Sequence, residues 1–234
     1  MRSRIVLVLM VLALAGARAD LKPASLFTDN AVLQQGAPVP VWGTAEPGEE
    51  ITVTFGGEKK SAKADAKGGW IAKLPKMKAS AEPRKLVISS LHNTIAFTNV
   101  VVGEVWICSG QSNMEFPLLR AHNAAEAAAA AADPLLRVFD VKKAMADEPL
   151  KNASGSWKPA NSNSVWGFTA VGYFFGRDIR ADKKVPVGLI GTYWGGTPAE
   201  SWTAHSYLER NPVSLASSPT TSTMSRRGIP QRQR

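Results

Sequence analysis

Ser112 lies in the run Gly110-Gln111-Ser112-Asn113-Met114, directly after the short apolar stretch Glu104-Val105-Trp106-Ile107-Cys108. A tight turn at the end of a buried strand holds a hydroxyl at the carboxyl edge of a sheet, where open α/β sheets bind their ligands. Backbone N–H groups of a helix that begins there can face a developing oxyanion. Gly110, two residues before the serine, permits a turn that another side chain obstructs. The chemistry this suggests is nucleophilic attack on a carbonyl. The local pattern alone also fits ordinary capping residues in a strand-to-helix turn.

A second glycine pair stands at Gly195-Gly196, ahead of Thr197-Pro198-Ala199-Glu200. A capping threonine, proline at the first helical position and glutamate two residues later predict a sharp helix start at Thr197. That explains Thr197 and Glu200 structurally, in preference to substrate contact. Trp194 and Trp202 could stack on a sugar face or pack in a core.

Two kinds of element have to position these residues. Residues 20–103 read as all-β: Val39–Gly43, Ile51–Phe55 and Lys85–Ile88 are separated by Pro47-Gly48, Gly56-Gly57 and Gly68-Gly69. The spacing predicts a small β-sandwich-like domain. Near Gly103 the texture changes. The reading beyond it is a strand at 104–108, a solvated helix from 118 through the alanine run to 132, and a strand at 136–141. A loop around 151–164, a helix at 168–181 and a buried strand at 185–190 follow. Strands alternating with helices imply a parallel α/β sheet.

The seven residues Gly110-Gln111-Ser112-Asn113-Met114-Glu115-Phe116 resemble the first signature block of the SGNH-hydrolase relatives that include sialate O-acetylesterases and acetylxylan esterases. Trp194-Gly195-Gly196-Thr197-Pro198-Ala199-Glu200-Ser201-Trp202 is similar to a second block. Leu26–Gln35 and Val41-Trp42-Gly43 resemble the family's N-terminal region, so the likeness runs from about Asp20 to Pro212. It implies an SGNH-type three-layer α/β/α domain at 104–212, incomplete, behind the β-domain. It also implies hydrolysis of acetyl esters on a carbohydrate, sialic acid or a related glycan. Ser112 would be the nucleophile, and the N–H groups of Ser112 and of Gly195 or Gly196 would meet the oxyanion. Gln111 and Asn113 would brace the turn.

A serine hydroxyl needs a general base, usually a histidine oriented by a carboxylate. The family carries Asp-x-x-His near its C-terminus, after a Gln-Gly-Glu-Ser-like block, and neither occurs here. His92 reads as a surface residue beside a turn, His122 as a helix-start residue without a suitably spaced aspartate, and His205 as solvent-facing. The expectation is an esterase by descent, truncated or frame-shifted near Val213 and inactive in this form. A secreted glycan-binding module without enzymatic activity is the alternative. A third reading is a scaffold protein of the cell envelope.

The formal charge of +9 does not point to a nucleic-acid partner, because its excess is at the ends. Residues 1–19 hold three arginines and 213–234 hold four, with no acid but Asp20 adjoining; setting those seven aside leaves 21 basic against 19 acidic residues. Arg2, Arg4, the apolar stretch Ile5–Leu14 and Ala17-Arg18-Ala19 read as a signal peptide over 1–19, giving a secreted or periplasmic protein with no membrane span after cleavage. Residues 213–234, rich in Ser, Thr and Arg, read as a disordered, non-native tail. Cys108 cannot form an intramolecular disulfide and reads as buried and inert. No metal and no cofactor are expected, since no His, Cys and carboxylate cluster has ligand spacing.

Overall fold

Runs of Val, Ile, Thr and aromatic residues cut by glycine turns become strands through the first half of the chain. The computed structural model describes residues 20–146 and 148–210. The expected signal peptide at 1–19 and the expected tail at 213–234 lie outside the described residues. Eight strands come first: β1 (Lys22–Pro23), β2 (Val32–Gln34), β3 (Val39–Thr44), β4 (Glu50–Phe55), β5 (Glu58–Lys63), β6 (Gly69–Leu74), β7 (Ser80–Ser89) and β8 (Thr94–Cys108). β1, β3 and β6 form an antiparallel three-stranded sheet. β5, β4, β7 and the first half of β8 pair antiparallel in that order. The two-residue turn between β4 and β5 needs positive φ at both positions, and Gly56 (58°) and Gly57 (87°) supply it.

β8 does not stop where the texture of the sequence changes. Its second half pairs in parallel with β11 (Val187–Gly191), which pairs in parallel with β9 (Asp133–Asp140). β10 (Trp157–Ala160) lies antiparallel to β9. One sheet of eight strands therefore runs β10-β9-β11-β8-β7-β4-β5, with β2 alongside β8. The strands expected at 104–108, 136–141 and 185–190 are all present, the first as the end of a much longer strand.

The helices are α1 (Ser112–Glu115), α2 (Ala124–Ala129), α3 (Ser162–Trp166), α4 (Ala170–Lys183) and α5 (His205–Leu208), with 3₁₀ turns at Leu118–Arg120 and Ala199–Trp202. Two expectations need correcting. The helix read over 118–132 is broken, because Ala121 adopts extended backbone (ψ 151°) after the 3₁₀ turn and only six residues of the alanine run continue as α2. It is not solvated all round either: Ala124, Ala127 and Ala128 are buried, and packing rather than alanine propensity sets its extent. The loop read at 151–164 contains β10 and the start of α3, capped by Asn161 through a reciprocal box with Ser164.

Side chains alternate across β9 and β11. Leu136, Val138, Val187 and Leu189 join one core with α2, α3 and α4, while Phe139 and Trp157 belong to the core of the β-rich part. Trp157 donates its indole N–H to Leu26 O at 2.8 Å, and its ring meets Phe139 edge-on at 5.5 Å. Arg137, between Leu136 and Val138, is 1% exposed. Its guanidinium donates to the carbonyls of Pro134, Ala31 and Asn99 and to Asn99 Oδ1, which ties β9 to the β-rich part. Burial pulls its pKa down to about 10, so it is still a cation at neutral pH.

Candidate active site

Parallel pairing of β8 with β11 in the register Cys108↔Gly191 brings both strands to one edge, and both glycine-bearing blocks continue from there. Thr192 N–H donates to Cys108 O and Trp194 N–H to Gly110 O, both at 2.9 Å, so the two turns leave the sheet side by side. Gly110 takes φ 140°, which a side chain resists. Cys108 is buried at the end of β8, and burial pushes its thiol up to about 11, which suits the inert role expected of it.

Ser112 is exposed and lines an open cleft of about 750 Å³ with Glu115, Asp140, Lys142, Lys143 and Tyr193. Gln111 is the N-cap of α1. Its Oε1 accepts both the N–H of Ser112 (3.0 Å) and the Oγ–H of Ser112 (2.7 Å), which holds the hydroxyl in place. Asn113 stands exposed on α1. α1 is a single turn of four residues, so the helix expected to support an oxyanion here contributes little more than its first amides.

Gly195 comes close to the serine: a Cβ built on it would lie 3.6 Å from Ser112 Cα. Its N–H donates to Glu115 Oε2, and the other oxygen of Glu115 pairs with Lys143. Lys143 also lies over the Trp194 ring, 5.5 Å from its centroid. Of the N–H groups expected at the oxyanion, those of Ser112 and Gly195 are thus engaged by side chains, and an ester oxygen would have to displace Gln111 or Glu115 to use them. Gly196 is exposed with φ 80°, and a Cβ built on it meets no atom within 4 Å.

The helix start expected at Thr197 is different in fact. Pro198 caps a 3₁₀ turn at Ala199–Trp202 with no side-chain cap bond. The Thr197 hydroxyl instead donates to Trp194 O (2.6 Å) and accepts from the Trp202 indole N–H (2.8 Å). Threonine here binds the two tryptophans of the block to each other.

Among the described residues no histidine lines the Ser112 cleft. His92 is exposed between β7 and β8, His122 sits ahead of α2, and His205 opens α5. Four cleft residues escaped sequence reasoning. Glu115 was visible inside the first block, whereas Lys143, Asp140 and Tyr193 carried no pattern of their own. Tyr193 donates to Asp140 Oδ1 at 2.9 Å; burial first, and then the neighbouring carboxylate, push its phenol well above the usual range.

Lys143, through its hydrogen bond, holds the Glu115 carboxyl below its ordinary value against the opposing effect of burial, and the Gly195 N–H adds to this. A carboxyl depressed in the folded state stabilises the protein above its unfolded pKa and loses that contribution as pH falls through the folded value. Glu115→Gln is therefore expected to cost about 0.5–1 kcal/mol at pH 7 and almost nothing at pH 3, a partly exposed pair being worth no more. Urea midpoints at the two pH values check this, and a cost that persists unchanged at pH 3 would refute it.

The family model described as carbohydrate esterase, sialic acid-specific acetylesterase matches residues 102–225, more than half of the chain and inclusive of both blocks. The chain belongs to this sialate O-acetylesterase family. Within the family it is 34% identical over 201 residues to the sialate O-acetylesterase of Homo sapiens and 32% identical over 203 residues to that of Rattus norvegicus. Those alignments cover 77% and 78% of this chain, and the chain spans 38% of the length of each relative. The crystal structure of a carbohydrate acetylesterase from Xanthomonas citri is similar with a TM-score of 0.77 and 39% identity, over 82% of this chain and 44% of that one.

Proposed function

We propose that Ser112 is the nucleophile of a carbohydrate O-acetylesterase that removes acetyl groups from sugar hydroxyls, sialic acid or a related glycan among them. The observation that carries this is the meeting of the two family blocks at one sheet edge, with Ser112 Oγ–H held by Gln111 and Gly195 beside it. Attack of Oγ on the acetyl carbon forms a tetrahedral oxyanion. Release of the sugar alcohol leaves an acetyl-serine, and water hydrolyses it to acetate and free serine. Each backbone donor reaching the oxyanion is worth about 2.7–4 kcal/mol of transition-state stabilisation. Residues 104–212 are read as part of an SGNH-type three-layer domain, and 20–103 as a sandwich-like domain in front of it, a reading supported by the likeness to the Xanthomonas citri acetylesterase.

The Ser112 proton has to go to a base, and neither His92 nor His122 lines the cleft. Asp140 stands there with one oxygen taken up by the Tyr193 hydroxyl. This chain on its own is therefore expected to hydrolyse p-nitrophenyl acetate no faster than its Ser112→Ala variant. Turnover that depends on Ser112 would show that these 234 residues contain a working base. Export through a cleaved leader at residues 1–19, to the periplasm or beyond, belongs to the same proposal and rests on the charged and apolar pattern there.

A further inference from the structure

Three depressions adjoin one another on the surface. The Ser112 cleft shares Val141, Lys142, Lys143 and Tyr193 with a second, lined also by Trp194, Trp42 and Leu150. The second shares Trp42, Lys151 and Asn152 with a third, which extends over Ile71 of β6. The second is walled by both parts of the molecule. Ser25 N–H donates to Asn152 Oδ1 at 2.9 Å and its hydroxyl to Ala153 O, which fastens the segment between β9 and β10 against the β-rich part, while Lys142 N–H donates to Ser154 O within that segment at 2.8 Å.

Beyond Glu115 and Asp140 of the Ser112 cleft, the charge along this track is mostly positive. Lys142, Lys143 and Lys151 line the second depression with no acidic residue; Lys22, Lys63 and Lys67 line the third against Asp65 alone. Lys143 is taken up by Glu115, whereas Lys142 and Lys151 are exposed at the groove's lining, Lys151 near enough to Asp65 to interact with its charge. The apolar surface is of the kind that sugar rings cover. Trp42 is half-buried with its ring edge-on to Phe27 at 5.0 Å, Leu150 is 62% exposed and Ile71 is 53% exposed. Apolar and aromatic surface beside exposed cations suits a chain that alternates apolar ring faces with carboxylates.

We propose that this track binds the acidic units of a polysaccharide chain, so that the acetylated unit at Ser112 is one of several sugars held at once. The direction of the chain rests on the reading of Ser112 given above; the binding does not. The test is a titration of the full chain, followed by tryptophan fluorescence at low salt, with polygalacturonate oligomers, neutral xylan oligomers of equal length and poly-glutamate. Polygalacturonate is expected to bind about tenfold more tightly than the other two, and to weaken as salt shortens the Debye length. The double variant Lys142→Glu/Lys151→Glu should lose about tenfold of that affinity, and Lys22→Glu/Lys67→Glu, farther along, about threefold. Circular dichroism confirms that each exposed substitution leaves the fold intact. Ser112→Ala should bind as the parent does, so failure of the esterase reading leaves this result standing. Equal binding of neutral xylan would overturn the proposal, as would equal binding of poly-glutamate, which marks a general polyanion or acidic-protein surface. An unaffected Lys142/Lys151 variant would overturn it too.

Discussion

Arg137→Ala is expected to lower stability by about 2–3 kcal/mol, because it empties the space of a buried guanidinium and leaves partly buried acceptors short of a donor. The carbonyls of Pro134 and Asn99 and the side-chain oxygen of Asn99 lose this partner at once, while Ala31 O keeps the N–H of Val101 at 3.1 Å. Summing one to three kcal/mol for each would overshoot, since neighbouring losses are not additive. The acceptors cannot easily turn elsewhere. Asn99 and Asn30 both sit at positive φ (54° and 65°), and Asn99 Nδ2 is already committed to Asn30 Oδ1 at 2.7 Å. Arg137→Lys keeps a charge but not the fork that spans Pro134 and Asn99, so it should recover about half of the loss. Urea denaturation of the three proteins reads both numbers. An alanine variant within 1 kcal/mol of the parent would mean that the acceptors find other partners when the guanidinium is gone.

Gly103→Ala should cost about 3 kcal/mol, the upper end for overpacking, because the obstacle is backbone. A Cβ at 103 would overlap the Pro186 carbonyl oxygen and lie 2.6 Å from its carbon, and that oxygen accepts the N–H of Glu104 at 2.9 Å. β11 begins one residue later, so room for a methyl group is made only by moving β11 away from β8. Gly195 hangs from the far end of β11 and Ser112 from the far end of β8, so the same shift parts the cleft. Gly167→Ala is the control: its φ is ordinary, a Cβ there meets nothing within 4 Å, and it should stay within about 0.5 kcal/mol of the parent. Thermal or urea midpoints of the two variants compare them directly, and equal midpoints would show that the approach of Pro186 is not tight.

Legibility in the sequence followed the range of the interactions. The strands announced themselves through β-branched runs and glycine turns, since alternation and turn chemistry are local. Ser112, Gln111 and Gly195 were singled out because the family's blocks contain them, and the fold brings Ser112 and Gly195 together although they are 83 positions apart. What was missed depends on partners far away in the chain. Lys143 meets Glu115 across 28 residues, and Arg137 reaches Asn99 across 38 and Ala31 across 106. Nothing beside Lys143 or Arg137 marks either for its role. The alanine run misled for a related reason: its composition favours helix at every position, but Leu118 N–H is fixed to Phe168 O at 2.9 Å, and the chain turns at Ala121 to meet that tie. β10 was hidden because Trp157-Lys158-Pro159-Ala160 is short, carries a proline and pairs only along one edge.

β8 is a single strand of fifteen residues whose first half pairs with β7 and whose second half pairs with β11. In a lineage that exchanges gene segments, such a strand forbids a clean joint. A crossover falling between residues 94 and 108 hands one descendant a β-rich part without its last ladder and the other a helix-backed sheet without its first. The segment between β9 and β10 imposes no comparable penalty, and insertions accumulate where the backbone is least shared. The β-rich part and the serine-bearing part are therefore expected to be inherited together, with variation in length concentrated beside Lys142 and Lys151, at the groove.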